Sequence, residues 1–292
     1  MPGIVAGVIS MKRLNNRVCQ FLAVFLALLI GHPLRFHAAP DITEKTKREW
    51  NSYIALTEQR IDGELRSATV PLRTTNFAAL KSGELEIRPL TTPGSKNKDI
   101  SDGTIHHWLG LVFIPNTNLE KLIPEVQNYA RYQDYFKDVE KSSGSRSGDH
   151  FTVFLRIKRT KIITVHFNTD HDATYTRHSA GFVSSVSRST KVQQIINAGT
   201  PQERLYPDGK DDGYLWALNS YWRFFERDGG VVVESESVGL SRSLGWGLGL
   251  LNILTLGTVR RTADSIAREA LDSTLLDLRQ MIVTGAKKPQ AP

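Results

Sequence analysis

Hydrophobic and polar positions along this 292-residue chain follow two periods, and the switches between them outline its elements. Residues 43–67, TEKTKREWNSYIALTEQRIDGELRS, place Trp50, Tyr53, Ile54, Ile61 and Leu65 at helical spacing with charges between them, which predicts an amphipathic helix docked by one face. Thr43 stands where a cap belongs, and Gly63 weakens the far end. The period drops to two over residues 83–90, where Leu85 and Ile87 alternate with Glu84, Glu86 and Arg88 as in a half-buried strand. A second strand, IHHWLGLVFIP (105–115), ends at its proline, and Asn116, Thr117 and Asn118 are placed to cap a helix over 119–129. Residues 151–158 and 161–169 predict a hairpin turning at Arg159-Thr160. Two serine- and arginine-rich strands follow at 173–178 and 181–195, then a turn-rich loop at 199–213. After a second hairpin, from Thr262 onwards, Ile266, Ala270, Leu271, Leu275, Leu278 and Ile282 recur every three or four residues, the pattern of a long helix with one apolar face.

The second hairpin, LNSYWRFFERDGGVVVESESVGLSR (218–242), is the most informative stretch. Whether its loop is Asp228-Gly229 or the four residues 227–230, Glu226 pairs with Val231, and the register runs back to Ser220 opposite Ser237. Paired residues share a face. One face therefore collects Trp216, Leu218, Ser220, Trp222 and Phe224 with Val233, Ser235, Ser237 and Gly239. The other collects Tyr221, Arg223, Arg227, Glu234 and Glu236, and is expected to be solvated, with Arg223 and Glu234 as a cross-strand ion pair of about 0.2–1 kcal/mol. Large side chains opposite small ones on the apolar face allow two arrangements, a filled core or a hollow lined by Trp222, Phe224 and Ser235. Serines inside an apolar surface carry a desolvation cost unless bonded, which suits a hollow holding polar groups of water or a ligand.

Strand, strand, helix, a run of antiparallel strands and a long terminal helix predict an α+β chain whose curved antiparallel sheet wraps the C-terminal helix, the helix-grip fold, with an N-terminal helical extension. GTIHHWLGLVFIP, the 218–242 hairpin and LGWGLGLL with the terminal helix resemble the START-like (SRPBCC) superfamily, in particular bacterial exported proteins related to polyketide cyclase/dehydratase and coenzyme Q-binding domains. The resemblance covers roughly residues 83–283. It implies the fold and a cavity between sheet and helix. It carries over no catalytic residue, because the superfamily includes carriers, cyclases and storage proteins with no shared catalytic motif.

The N-terminus adds a location. A basic stretch from Lys12 to Arg17 precedes 13 residues, Val18–Ile30, broken only by Gln20, which reads as a signal peptide rather than a spanning helix of about 20 residues. Cleavage is expected near Ala38-Ala39-Pro40, an uncleaved inner-membrane anchor being the alternative, and Met11 is the better start. The expected organisation is a leader over 1–39, a helical extension over 40–80, the main domain over 81–285, and a disordered tail over 286–292. Lys12, Arg13, Arg17 and Arg35 lie in the leader with no acid, so the chain's net charge of +7 falls by four once it is removed. The remainder has no block of like charge and gives no electrostatic case for nucleic acid. The one cysteine, Cys19, is also in the leader, which excludes disulfides and Cys-ligated metals from the exported chain.

Candidate chemistry is sparse. His106 and His107 are neighbours on a strand, point to opposite faces and cannot share a metal. Asp170, His171 and Asp172, with His166 nearby, sit at an expected strand end and read as a solvated turn. Ser241 and Ser243 have no elbow motif or nearby His or Asp in sequence, which disfavours a serine hydrolase. There is no GxGxxG, Walker A, HExxH or CxxC, so no cofactor and no metal are expected. Residues 244–256, apolar and rich in glycine, either begin the C-terminal helix or form a lip giving transient membrane contact. The leading expectation is an exported periplasmic protein that holds a small hydrophobic, lipid- or isoprenoid-like ligand without catalysis. Its expected lining is Trp216, Leu218, Ser220, Trp222, Phe224, Val233, Ser235 and Ser237. The alternatives are a cyclase/dehydratase-type enzyme using an inward residue, such as His106 or His107 with Arg156 or Tyr175, and an envelope protein that binds a partner.

Overall fold

The computed structural model describes residues 42–289 apart from 68–69, 71, 96–97, 161–163, 208–209 and 244–251, and for 252–263 the helical backbone alone. The leader and residues 244–251 of the apolar segment lie outside the described residues.

Among the described residues, ten strands form one open, curved antiparallel sheet. They are β1 (Glu86–Pro89), β2 (Asp99–Ile100), β3 (Gly103–Pro115), β4 (Val139–Ser147), β5 (His150–Thr160), β6 (Thr164–Ser179), β7 (Phe182–Ile196), β8 (Arg204–Leu205), β9 (Ala217–Arg227) and β10 (Gly230–Arg242). Their order is β1-β3-β10-β9-β7-β6-β5-β4, with β2 added to β3 and β8 to β7. The β9–β10 pairing is the one predicted, from Arg227 opposite Gly230 to Ser220 opposite Ser237. Its loop is the two-residue one, since Asp228 and Gly229 both have positive φ, the geometry whose twist matches the flanking strands. The first hairpin turns later than predicted: Arg159 and Thr160 are still in the ladder, opposite Val165 and Thr164. The segment 173–178 is the far half of β6, not a separate strand, and β4, too polar to show a strand pattern, pairs along β5.

Each face of the sheet is covered. On the concave face the long helix α5 (Asn252–Thr284) lies against β3. Helices α3 (Leu119–Val126) and α4 (Tyr132–Tyr135) close one end. Asn118 caps α3 as expected, its side chain accepting from the Lys121 N–H at 3.0 Å. The concave core joins Leu271, Leu275, Leu278 and Met281 of α5 to Val112, Ile114, Phe224 and Val233, and to Phe151, Phe167 and Tyr175 further round the sheet. Gly110 is where the helix comes down, because a Cβ there would stand 2.6 Å from Leu275 Cδ1.

The convex face departs from the expectation of a solvated surface. The amphipathic helix, α1 (Glu44–Leu65), starts at the Thr43 cap and packs Trp50, Tyr53, Ile54 and Ile61 onto Ile105, Tyr221, Val238 and Leu240. The short helix α2 (Phe77–Lys81) brings Leu80 against Leu109, Leu111, Phe113 and Val232. Glu234 and Glu236 are 0 % exposed beneath this cover, and Arg223 is 2 % exposed. Arg73 binds Glu234 (2.7 Å) and Glu236, Arg60 binds Glu236 and Glu64, and Arg223 binds Glu64 and faces Glu234 at 3.6 Å. Three arginines thus meet three glutamates, with Glu234, Glu236 and Arg223 buried and Arg60 and Glu64 at a partly exposed rim. The physical reason is that Val232, Val238 and Leu240 of β10, together with Ile105, Leu109 and Leu111 of β3, make this face too apolar to leave bare.

His107 belongs to the same network. The Thr92 N–H donates to Tyr53 Oη (3.1 Å), the Tyr53 hydroxyl lies 2.7 Å from His107 Nδ1, and His107 Nε2 lies 2.7 Å from Glu236 Oε1. Burial lowers the pKa of His107, and a neutral ring protonated at Nε2 satisfies every member of the chain. Burial pushes the Glu236 carboxyl up, but the His107 hydrogen bond and the charges of Arg73 and Arg60 outweigh it and hold the group down at about 2.

Candidate functional site on the concave face

The site is built by β3, β10, β9, β7 and β6 as they pass beneath or beside α5. Strict alternation and the register of β3 with β10 put His106, Trp108, Gly110 and Val112 on one face with Gly239, Ser237, Ser235 and Val233 opposite them. Across β9 the face continues through Leu218, Ser220, Trp222 and Phe224, and across β7 and β6 through Ser185 with Tyr175 and Ser187 with Ala173. Phe224, Val233 and Ser235 are buried at the packed end, where Leu271 and Leu275 descend. Leu218, Ser220, Trp222 and Ser237 remain partly exposed. The face is therefore filled at one end and less covered at the other.

Of the eight predicted lining residues, seven share this face and Trp216 does not. It precedes the regular strand, where alternation no longer applies, so its ring packs with the convex cluster and its Nε1 donates to Asp211 Oδ1 at 3.1 Å. Leu215 takes the concave side instead. Trp222 donates from Nε1 to Ser220 Oγ (3.1 Å), and its ring runs nearly parallel to that of Phe224, 7° apart. Among the described residues, Ser235 Oγ and Trp108 Nε1 are buried on this face with no hydrogen-bond partner. Such groups cost about 1–3 kcal/mol unless something outside the chain meets them. A cleft of about 350 Å³ lies elsewhere, lined by residues including Tyr129, Gly144, Arg146 and Phe151, and touches none of the predicted eight.

The polar end of the face was not legible as a group. His106 Nε2 lies 2.9 Å from Ser241 Oγ, and His106 Nδ1 lies 2.9 Å from Asp264 Oδ1 on α5. Ser241 has no His or Asp near it in sequence, and it is the strand pairing that brings His106 beside it. His106 stands opposite Gly239, one diagonal step from Ser241, within reach of a long side chain. Of the residues weighed as acid or base, His106 and Tyr175 face inward, whereas His107 and Arg156 face outward, Arg156 clasped by Glu203 and Glu140. Tyr175 Oη bonds Tyr129 Oη at 2.9 Å, and burial raises Tyr129 to about 12 and lifts Tyr175 well above the ordinary phenol value, so both phenols stay neutral. His171, expected in a solvated turn, lies mid-way along β6 beside a register break, buried and bonded to Thr169 Oγ1 at 3.0 Å. Burial pushes its pKa down to about 4.

Strand pair, helix, a meander of antiparallel strands and a gripped terminal helix make up the architecture, and a polar–apolar concave face lies under that helix. This is a helix-grip fold. No protein-family profile matches the sequence, and no curated protein matches it either. Among solved structures, this chain is similar to a STAR-related lipid transfer protein from Xanthomonas axonopodis, with 14 % identity over 64 % of this chain and 96 % of that one, TM-score 0.41. It is also similar to the ZhuI aromatase/cyclase from Streptomyces sp. R1128, with 12 % identity over 61 % and 93 %, TM-score 0.38. Human STARD10 is a third, with 9 % identity over 74 % and 84 %, TM-score 0.38. Likenesses this distant bear on no activity.

Proposed function

We propose that this START-like protein binds a small hydrophobic molecule on the concave face, with its apolar body over Leu218 and Trp222 and its polar group toward Ser235, Trp108 and the His106 end. The carrying observation is the pair of buried polar atoms, Ser235 Oγ and Trp108 Nε1, that find no partner among the described residues. Burial of the ligand's apolar surface would supply roughly 25 cal/mol per Å², and the hydroxyl and indole groups would fix its orientation. The basic and apolar pattern of residues 12–30 supports export, so the ligand would be met in the periplasm. Native mass spectrometry and solvent extraction of protein purified from its own host test this reading: a bound lipid or isoprenoid-like molecule is expected, lost in Trp222→Ala. A wild-type protein that carries nothing and takes up no offered apolar ligand would refute it.

A further inference from the structure

Ser241, His106 and Asp264 hold a relation that ligand binding alone does not require. A carboxylate only accepts hydrogen bonds, so the 2.9 Å contact with Asp264 fixes the proton of a neutral His106 on Nδ1. Nε2 then carries the lone pair, and the Ser241 hydroxyl at 2.9 Å donates to it. That is the sequence of hydroxyl, base and orienting carboxylate which activates a serine, and such groups are recognised by geometry rather than by position in the chain. Asp264 stands at the solvent rim, 47 % exposed, with His106 and Ser241 buried behind it at 7 % and 6 %. A Cβ added at Gly239, opposite His106, would meet no described atom nearer than 3.8 Å, whereas the same addition at Gly110 runs into α5. Among the described residues, the space beside His106 is thus the uncrowded part of the face.

We propose that Ser241, His106 and Asp264 form a nucleophilic triad that hydrolyses carboxylic esters whose apolar group lies on the concave face. The proposal rests on the ligand-binding reading, since the same aromatic floor would hold the ester. Ser241 Oγ adds to the ester carbonyl carbon while its proton passes to His106 Nε2. The carbon–oxygen bond to the alcohol then breaks, and His106 returns the proton to the leaving oxygen, giving acyl-Ser241 and free alcohol. Water adds to the acyl carbon, losing a proton to Nε2. The bond to Ser241 breaks, its oxygen takes that proton back, and the carboxylic acid leaves. Trp108 Nε1, two residues from His106 on the same face and without a partner, is a donor available to the substrate's oxygen.

The test uses the purified full chain with a fluorophosphonate probe and, separately, with p-nitrophenyl esters from acetate to decanoate. One phosphonate adduct is expected by intact mass, mapped to Ser241, with ester turnover that favours the longer acyl chains. Ser241→Ala abolishes both. His106→Gln and Asp264→Asn slow them by about 100-fold or more, while melting stays near wild type, which a merely structural role would not allow. A folded wild type that takes no adduct and turns over no ester overturns the triad while leaving ligand binding intact. An adduct on another serine overturns it as well. Labelling of Ser241 in protein that carries no resident ligand upholds the triad and rejects the carrier reading. Should Ser241→Ala fail to fold, the adduct map of the wild type decides the matter alone.

Discussion

Replacing Glu236 by glutamine tests the buried charge network with a magnitude that can be worked out in advance. Glutamine keeps the shape and can still accept from His107, but it leaves Arg60 and Arg73 one negative charge short at a site with 0 % exposure. The Glu236 carboxyl is held near 2 against an ordinary value of 4.5. At roughly 1.36 kcal/mol per unit that difference amounts to about 3 kcal/mol of stability at pH 7, in line with the 3–5 kcal/mol typical of breaking a buried pair. A depressed folded pKa stabilises above the unfolded value near 4.5 and ceases to do so as pH falls through 2. The wild type should therefore lose about 2 kcal/mol of this contribution by pH 3, while Glu236→Gln has none to lose. Urea unfolding followed by tryptophan fluorescence at pH 7 and pH 3 measures the gap between the two proteins, which should shrink from about 3 to about 1 kcal/mol. A gap below about 0.5 kcal/mol at pH 7, or one of equal size at both pH values, would refute the reasoning.

Three further outcomes are expected. Gly110→Val, whose first carbon would meet Leu275 at 2.6 Å, should cost about 1–3 kcal/mol in chemical denaturation, whereas Gly239→Val should leave stability within about 1 kcal/mol and reduce ligand retention measured by native mass spectrometry. Removal of residues 40–81 should abolish cooperative unfolding rather than release a smaller stable domain, because it bares Leu109, Leu111, Val232 and Val238 along with the buried glutamates; calorimetry of the shortened chain checks this. The His171 ring signals should stay those of a neutral imidazole from pH 8 down to about 5 in an NMR titration, since burial holds its pKa near 4.

The residues that were legible and those that were not differ in what they depend on. The β9–β10 register followed from Asp228-Gly229, a local turn whose geometry leaves little choice, and the terminal helix followed from its apolar spacing. The solvated reading of Glu234 and Glu236 failed because charge was taken as a sign of water. The counter-signal was in the sequence: Val232, Val238 and Leu240 flank them on the same face, and β3 is apolar on both of its faces, so both needed a cover. The strand through His171 was hidden by its polar run and its register break, and β4 by having little apolar pattern to read. Ser241, His106 and Asp264 lie 135 and 158 positions apart, so no local motif could join them; only the pairing of β10 with β3 and the descent of α5 does.

Strand β10 has one further consequence. Its even-numbered residues, from Val232 to Leu240, face the cover formed by α1 and α2, and its odd-numbered residues, from Ser235 to Ser241, face the concave site. A saturation scan along this single strand should give a two-beat signal. Changes at even positions should deplete the protein from cells whatever the selection. Changes at odd positions beyond Ser235 should leave abundance near normal and register only when the molecule's task is selected for. The neighbouring beats would separate what the chain needs in order to exist from what it needs in order to act, within one short oligonucleotide library.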